Sequence, residues 1–561
     1  MFKQRSNSAI ALIVIAVTAV AFFPSLLNGY VDWDDPGYVT ENDVVRSISA
    51  ENVRKAFSQA FVSCYCPLAI LTYMAEYRFF DYSPLAYHAT NYVLHLLITA
   101  LVFYLIFLIS GKAYTAFITA LLFGIHPLHV ESVAWISQRK DLLCALFYVL
   151  GLILYDGYLK KGGRARYALL IASVSFALLS KPMAVTMPVA FLLLDYYEGR
   201  KMSGKLVAEK IPFFVLAIVF GVVNMRFQTA DGATGLVADA GVKTYFISKS
   251  IPFYISKMIA PVRLSAMYPY HNVTPEHLVK IPFYVAAMLF GTALVVWSRK
   301  FSKDVVFGSL FFLIAVLPVL KIIPAGDVFA ADRYMYLPSI GAFFIAATFC
   351  ERALSARSRI MKPLIIAVLV FAAGTYSITS FRRCGIWKNS ETLFSDVIRK
   401  YPNIPLAQNN LGTFYAERGE YERSIRYFRK ALSIEPTFSM AKENIEKALA
   451  ELERLPAQAA AAAAIEHQVR AESRAKEVEL LNIRGIAEGV TGDLDGAISL
   501  FRQAIALDPE FAESYNNLGF AYYQKGDHKE ALKNFEKALE INPDHERAGV
   551  NADFLKKQGA P

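Results

Sequence analysis

The chain is 561 residues long, 55% apolar and 14% aromatic with only 19% charged, and its mean hydropathy is +0.35; this excludes a disordered, collagenous or ordinary soluble protein. The formal net charge of +10 does not argue for nucleic acid as a partner, because many of the basic residues sit in short connectors between apolar runs, where membrane topology accounts for them. Five cysteines (Cys64, Cys66, Cys144, Cys350, Cys384) are too few and too scattered for a disulfide framework or a zinc site.

Apolar runs fill residues 8–380, and the rest of the chain reads as charged, soluble helix. The first run, Ala9 to Leu27, follows the basic start Lys3 and Arg5 and has no small-residue cleavage site, so it reads as a retained signal anchor. A spanning helix needs about 20 apolar residues. Further spans are expected at 87–110, 113–125, 142–158, 167–180, 183–197, 211–226, 281–298, 305–321, 334–351 and 361–380, eleven in all with the first. The expected fold class is all-α, a polytopic membrane helix bundle over 1–380 followed by a helical repeat domain over 401–561.

Lys and Arg concentrate in alternate connectors, among them Lys160, Lys161, Arg164 and Arg166, then Arg200, Lys201 and Lys205, then Arg299 and Lys300. The positive-inside rule puts these, and the N-terminus, in the cytoplasm. External loops are then expected at 28–86, 126–141, 227–280 and 322–333, with the repeats also outside after a linker at 381–400. The stretch Tyr245 to Ile259 is apolar but short and lysine-bearing, and reads as interfacial or re-entrant.

The first external loop opens with Tyr30-Val31-Asp32-Trp33-Asp34-Asp35-Pro36-Gly37-Tyr38. Three carboxylates crowd the outer mouth of the first helix, and adjacent acids push their pKa values apart, which suits a base working near neutral pH. Asp32 and Asp34 also form an Asp-x-Asp pair that would hold a divalent cation, magnesium or manganese, if the reaction uses one; no cofactor is otherwise expected. The second loop, His126-Pro127-Leu128-His129-Val130-Glu131 through Trp135 to Arg139-Lys140-Asp141, packs two histidines, two carboxylates and two cations into sixteen residues at a membrane boundary. His126 and His129 have no third ligand beside them, so positioning or packing is the expected role. Other polar groups at the same boundary are Lys181, Lys257, Arg263, Tyr268, His271 and the run Asp332-Arg333-Tyr334-Met335-Tyr336. Arginine at the outer mouth of a helix suits a lipid-linked phosphate, because its planar fork makes bidentate, charge-assisted contacts.

In the C-terminal part, Gly485 and Gly519 are 34 residues apart, as are Pro509 and Pro543. Ala497 and Ala504 repeat as Ala531 and Ala538, and an earlier unit carries Gly412, Ser424, Ala431 and Pro436. Small residues are needed where antiparallel helices approach closely, and the proline punctuates each unit. The pattern looks like the tetratricopeptide repeat, with units at about 405–438, 478–511 and 512–545 and a degenerate unit between the first two, its second helix running through the alanine-rich stretch from Ala457. Such an array presents a groove for a protein or peptide.

Taken in order, Trp33-Asp34-Asp35, then His126-Pro127-x-His129-x-Glu131 continuing to Arg139-x-Asp141, then Arg333-x-x-Tyr336-Leu337-Pro338-Ser339, then the repeats, the chain resembles the transmembrane and tetratricopeptide-repeat O-mannosyltransferases and their bacterial relatives, within the type C integral-membrane glycosyltransferases. The resemblance implies transfer of a sugar from a polyprenyl-phosphate carrier to an acceptor hydroxyl, on the outer face of a bacterial inner membrane. It carries the catalytic acid onto Asp34 or Asp35. The acceptor oxygen is a weak nucleophile that needs such a base, and Arg139 and Arg333, with Lys140 and Lys181 in reserve, are the cations expected on the departing phosphate. Glu131 would orient the acceptor or one of those cations. Asp32, His126, His129 and Tyr336 are expected to position the acceptor. Direct displacement implies inversion at the anomeric carbon. The competing readings are an oligosaccharide ligase using a diphosphate-linked donor, and a non-catalytic envelope-assembly scaffold acting through its repeats.

Overall fold

A computed structural model describes residues 2–230, 240–270, 275–320, 328–356, 358–454 and 459–557. His271 and parts of the expected loops 227–280 and 322–333 lie outside the described residues. The chain divides into two compact units, Met1–Pro402 and Asn403–Pro561.

The first unit is a helix bundle and a multi-pass membrane protein. Among the described residues, six stretches are long and apolar enough to cross a membrane: Ala9–Leu27, Pro84–Ser110, Ile136–Lys161, Gly204–Phe227, Pro275–Ser298 and Met361–Trp387. Helix Ala113–Ile125 and segment Pro127–Ala134 together are apolar enough for a seventh but are bent by 50° at the break between them, the geometry of a broken span or a re-entrant loop. The proline accounts for that break, since it cannot donate into the preceding turn. The shorter expected spans are helical too, as Arg164–Ser180, Met187–Tyr197, Lys303–Val316 and Ser339–Ser355. Expectation and structure differ most at 334–351, where the helix begins only at Ser339, after a 3₁₀ turn at Asp332–Met335. Helices Lys303–Val316 and Ser339–Ser355 meet at Gly308 and Gly341, where a Cβ on Gly341 would come within 2.3 Å of the Gly308 carbonyl oxygen. Backbones can touch there only because both residues are glycine.

Charged contacts between connectors fall into two separate sets. Lys112 pairs with Asp304 and Glu351, and Arg200 and Lys210 pair with Asp195 and Glu209. These residues flank connectors assigned above to the cytoplasm. Contacts at the other ends join residues 32–38, 131–141, 181, 332–333 and 383–390. Among the described residues no ion pair joins the two sets.

Helix Ala240–Ile259 contains the stretch expected to be interfacial or re-entrant. It carries Lys243, Lys249 and Lys257 and is not among the candidate spans. Its Tyr245, Phe246 and Tyr254 pack with Tyr268 and Phe329, the last two on short antiparallel strands that pair Tyr268 with Ala330. The expected linker at 381–400 is a correction. Helix Met361–Cys384 is followed by a 3₁₀ turn at Gly385–Trp387 and an Asn389-capped helix, Ser390–Lys400, all within the first unit. The amphipathic pattern of 390–400 buries Leu393, Phe394 and Val397, which is why the segment folds rather than spanning a gap.

The second unit stacks paired helices: Pro405–Ala416 with Tyr421–Ile434, and Ala512–Lys525 with His528–Ile541. The repeat glycines have a common cause. A Cβ at Gly412, Gly485 or Gly519 would lie 2.5–2.8 Å from the ring of Phe428, Phe501 or Phe535 respectively, sixteen residues further on in each case. The degenerate unit is joined to its successor, because one 33-residue helix, Ala459–Thr491, replaces two. One period before Pro509 stands Ala475 instead of proline, so nothing interrupts a run rich in strong helix formers.

Candidate active site

Three connectors and the segment after the last span meet at one end of the bundle. The chain leaves helix Phe2–Phe22 through the 3₁₀ turn Phe23–Leu27 and brings Asp32 to Asp35 under the second connector. Asp35 is 1% exposed. Its Oδ2 accepts from the Val31 N–H at 2.9 Å, and its Oδ1 accepts from the Ser137 N–H at 3.1 Å and from the Ser137 hydroxyl. Burial pushes its carboxyl up to about 7, against the downward pull of those hydrogen bonds. Each oxygen accepts from the protein, and Asp35 thereby latches the first loop to the second.

Asp34 is the more accessible neighbour, with 18% of its side chain exposed. Its Oδ2 lies 3.6 Å from the Lys140 Nζ, which also donates to the Tyr38 hydroxyl at 3.1 Å. Asp32 turns away. Its N–H donates to the Ser390 Oγ at 2.7 Å, and the Ser390 hydroxyl donates to the Asp32 Oδ2 at 2.6 Å. The Asp-x-Asp pair is therefore split between two partners, and among the described residues no three His, Cys, Asp or Glu side chains are grouped to hold a metal.

Three of the four tryptophans form a column. Trp33 stacks on Trp135 with centroids 4.6 Å apart, and Trp135 stacks on Trp387 at 5.1 Å. Arg333 completes the assembly with its guanidinium 5.6 Å from the Trp135 centroid and 5.0 Å from that of Tyr334. Glu131, fully buried, accepts from the Arg333 backbone N–H at 3.0 Å and from its guanidinium. Arg333 is itself steered by its neighbour. Asp332 accepts from the Tyr268 hydroxyl at 2.7 Å and pairs with Arg383 at 2.7 Å. Burial raises the Asp332 carboxyl to about 6, Arg383 opposing and Glu131 adding to the rise.

Helix Arg139–Lys161 begins with three charged residues that its pitch sends in different directions. Arg139 points inward. It is fully buried, 2.9 Å from Glu76, and its other donors go to the Asn91 side chain, the Thr72 hydroxyl at 3.2 Å and the Tyr87 carbonyl at 2.8 Å. All three guanidinium nitrogens thus make hydrogen bonds inside the fold and the side chain is sealed from solvent, which places Arg139 away from the phosphate-binding position expected for it. Lys140 reaches Asp34, and Asp141 takes the Lys181 ammonium. Asp141, Lys181 and Arg333 line a single narrow cleft whose remaining walls include Cys144, Met183 and Leu337.

The histidines and Tyr336, expected to position the acceptor, are engaged in internal contacts. The His126 Nε2 lies 3.0 Å from the Met258 carbonyl, and the His129 Nδ1 and Nε2 lie 2.7 Å from the Phe123 carbonyl and 3.0 Å from the Ser339 Oγ. The Tyr336 hydroxyl donates to the His95 Nδ1 at 2.7 Å. All four side chains are buried, and they fix the bent second connector against helix Ser339–Ser355.

Of the expected site residues, the structure pairs Asp34 with Lys140 and Glu131 with Arg333, places Arg333 and Lys181 on one cleft, and engages Asp32, Asp35, Arg139, His126, His129 and Tyr336 in internal contacts. Sequence reasoning missed Glu76 and Asn91, which lie mid-helix without a motif around them, and assigned no role to Tyr38 at the end of the acidic run. It also missed Trp387; with only four tryptophans in 561 residues, three of them beside charged connectors, a signal was available.

Comparison with known proteins follows the same division. Tetratricopeptide repeat models match residues 405–438 and 512–545, and a further repeat model matches 491–526. Over 98% of its length the chain is 22% identical to human Protein O-mannosyl-transferase TMTC3 and covers 70% of that protein. It is 24% identical to human Protein O-mannosyl-transferase TMTC1 over 68% of this chain and 49% of the relative. The chain thus spans between about half and 70% of these relatives. A crystal structure of the Archaeoglobus fulgidus oligosaccharyltransferase tethered with an acceptor peptide aligns with 68% of this chain and 55% of its own, at 13% identity and a TM-score of 0.40.

Proposed function

We propose that this chain, a relative along most of its length of the transmembrane and tetratricopeptide-repeat O-mannosyltransferases, moves a sugar from a polyprenyl-phosphate donor to a Ser or Thr hydroxyl of a protein on the extracytoplasmic face of the membrane. The observation that carries this reading is the cleft where Lys181 and Arg333, 152 positions apart in the chain, face one another beside apolar walls. Two cations at the outer end of a membrane bundle suit the phosphate of a lipid-linked sugar, whose isoprenoid tail stays in the bilayer.

In this mechanism Asp34 removes the acceptor hydroxyl proton as the oxygen attacks the anomeric carbon. The bond from that carbon to the phosphate oxygen breaks with its electron pair on the phosphate, and Arg333 and Lys181 stabilise the charge gathering there. Glu131 holds Arg333 in place. One displacement inverts the anomeric configuration. The repeats dock the acceptor protein.

The test is transfer from polyprenyl-phosphate mannose to peptide by the purified full-length protein, with the anomeric configuration of the product read by NMR. Absence of transfer, or full activity after Asp34→Asn, defeats the assignment. A diphosphate-linked oligosaccharide that outcompetes the monophosphate donor would favour the ligase reading instead.

A further inference from the structure

Asp141 holds Lys181 through one oxygen only. Its Oδ1 takes the ammonium, while its Oδ2 is buried and accepts from no group among the described residues. The residue is 6% exposed and lines the cleft with Lys181 and Arg333. A buried carboxylate oxygen without a donor is unfavourable, and such an atom in a native site calls for a group that arrives to satisfy it. Among the described residues no other wall of the cleft donates to it: Cys144, Ala145, Met183 and Leu337 are weak or apolar, the Tyr336 hydroxyl is turned to His95, and Arg333 and Lys181 make their hydrogen bonds to Glu131 and to the other Asp141 oxygen.

We infer that Asp141 is a specificity-determining residue whose free oxygen accepts a hydrogen bond from one hydroxyl of the donor's sugar, next to the phosphate held by Lys181 and Arg333. The inference rests on the lipid-linked donor proposed above and adds where its sugar is read. A carboxylate repels the phosphate itself, so the phosphate goes to the cations. A sugar hydroxyl is neutral, donates strongly, and lies only a few bonds from the phosphate oxygen, within reach of a residue that already touches Lys181.

The experiment compares intact polyprenyl-phosphate mannose with each of its monodeoxy analogues, using full-length wild-type protein and Asp141→Asn. In the wild type one missing hydroxyl is expected to lower kcat/KM by about 10- to 100-fold, the range for a hydrogen bond to a charged group. In Asp141→Asn that particular penalty is expected to vanish while those at other positions remain. Lys181→Met keeps the carboxylate and covers the case in which Asp141→Asn does not fold: the single-hydroxyl penalty persists in it on this inference, and its disappearance would assign the hydroxyl to the lysine and overturn the inference. Transfer in wild type with the same penalties in Asp141→Asn overturns this inference alone. A wild-type protein that transfers nothing from the intact donor overturns the glycosyltransferase reading, and this inference with it.

Discussion

Glu131 accepts both the backbone N–H of Arg333, at 3.0 Å, and its guanidinium, so one buried carboxylate fixes the position of the residue and the direction of its side chain. The two residues lie on the second connector and on the turn before helix Ser339–Ser355. Locking backbone and side chain together leaves Arg333 little freedom over the face of Trp135.

Replacing Arg333 by Lys keeps the charge but removes the planar fork. Transfer is expected to fall by about 10²- to 10³-fold in kcat, the cost of losing one preorganised donor at a developing anion. Glu131→Gln should lower kcat/KM and also the melting temperature, because it leaves a buried guanidinium without its counter-charge. Initial rates and thermal unfolding on the two purified variants check both statements. Unchanged rates in Arg333→Lys would remove the arginine from the chemistry.

The adjacent carboxylates Asp34 and Asp35 should separate cleanly. Asp34→Asn is expected to fold normally and lose about 10²- to 10⁴-fold in rate, the contribution of a positioned base. Asp35→Asn acts on stability and its pH dependence. The Asp35 carboxyl sits at about 7 in the folded protein and near 3.9 when unfolded, so between those values the folded state binds the extra proton. Its stabilising contribution is complete below about pH 4 and is lost as pH rises through about 7. Asp332, also raised, to about 6, acts with the same sign. The melting temperature of wild type should therefore decline from pH 4 to pH 7, and the decline should be shallower in Asp35→Asn, as thermal scans across that window would register.

Arg139 and Glu76 form a pair sealed from solvent. Removing one partner of such a pair typically costs about 3–5 kcal/mol, because the remaining charge stays buried. Arg139→Met and Glu76→Gln should each depress the unfolding midpoint strongly while the donor KM of the folded fraction stays at the wild-type value. A raised KM in Arg139→Met with unchanged stability would restore Arg139 to the phosphate site.

In the repeats, Gly412→Ala puts a methyl group 2.5 Å from the Phe428 ring, an overpacking expected to cost about 1–3 kcal/mol. Phe428→Leu in the same chain should recover part of that loss. Limited proteolysis of the full-length protein, followed at residues 403–454, would show faster cleavage in the single variant than in the double.

Spans, repeat period and charged motifs were legible in the amino-acid order because each follows from local chemistry. Twenty apolar residues suffice to mark a crossing, and Gly412, Gly485 and Gly519 reveal a period through spacing alone. Even the fused helix at Ala459–Thr491 could be read from Ala475 standing where a proline would punctuate the array. Partnership was not legible, because it depends on side-chain direction after chain segments far apart have met. Asp34 and Asp35 are neighbours with the same chemistry, yet one faces Lys140 and the other is sealed against Ser137. Arg139, Lys140 and Asp141 are consecutive, and the helical turn of about 100° per residue sends the first to Glu76, the second to Asp34 and the third to Lys181. Composition and order therefore decided which groups were present at this end of the bundle, while the packing of the connectors decided which of them remain free to meet a substrate.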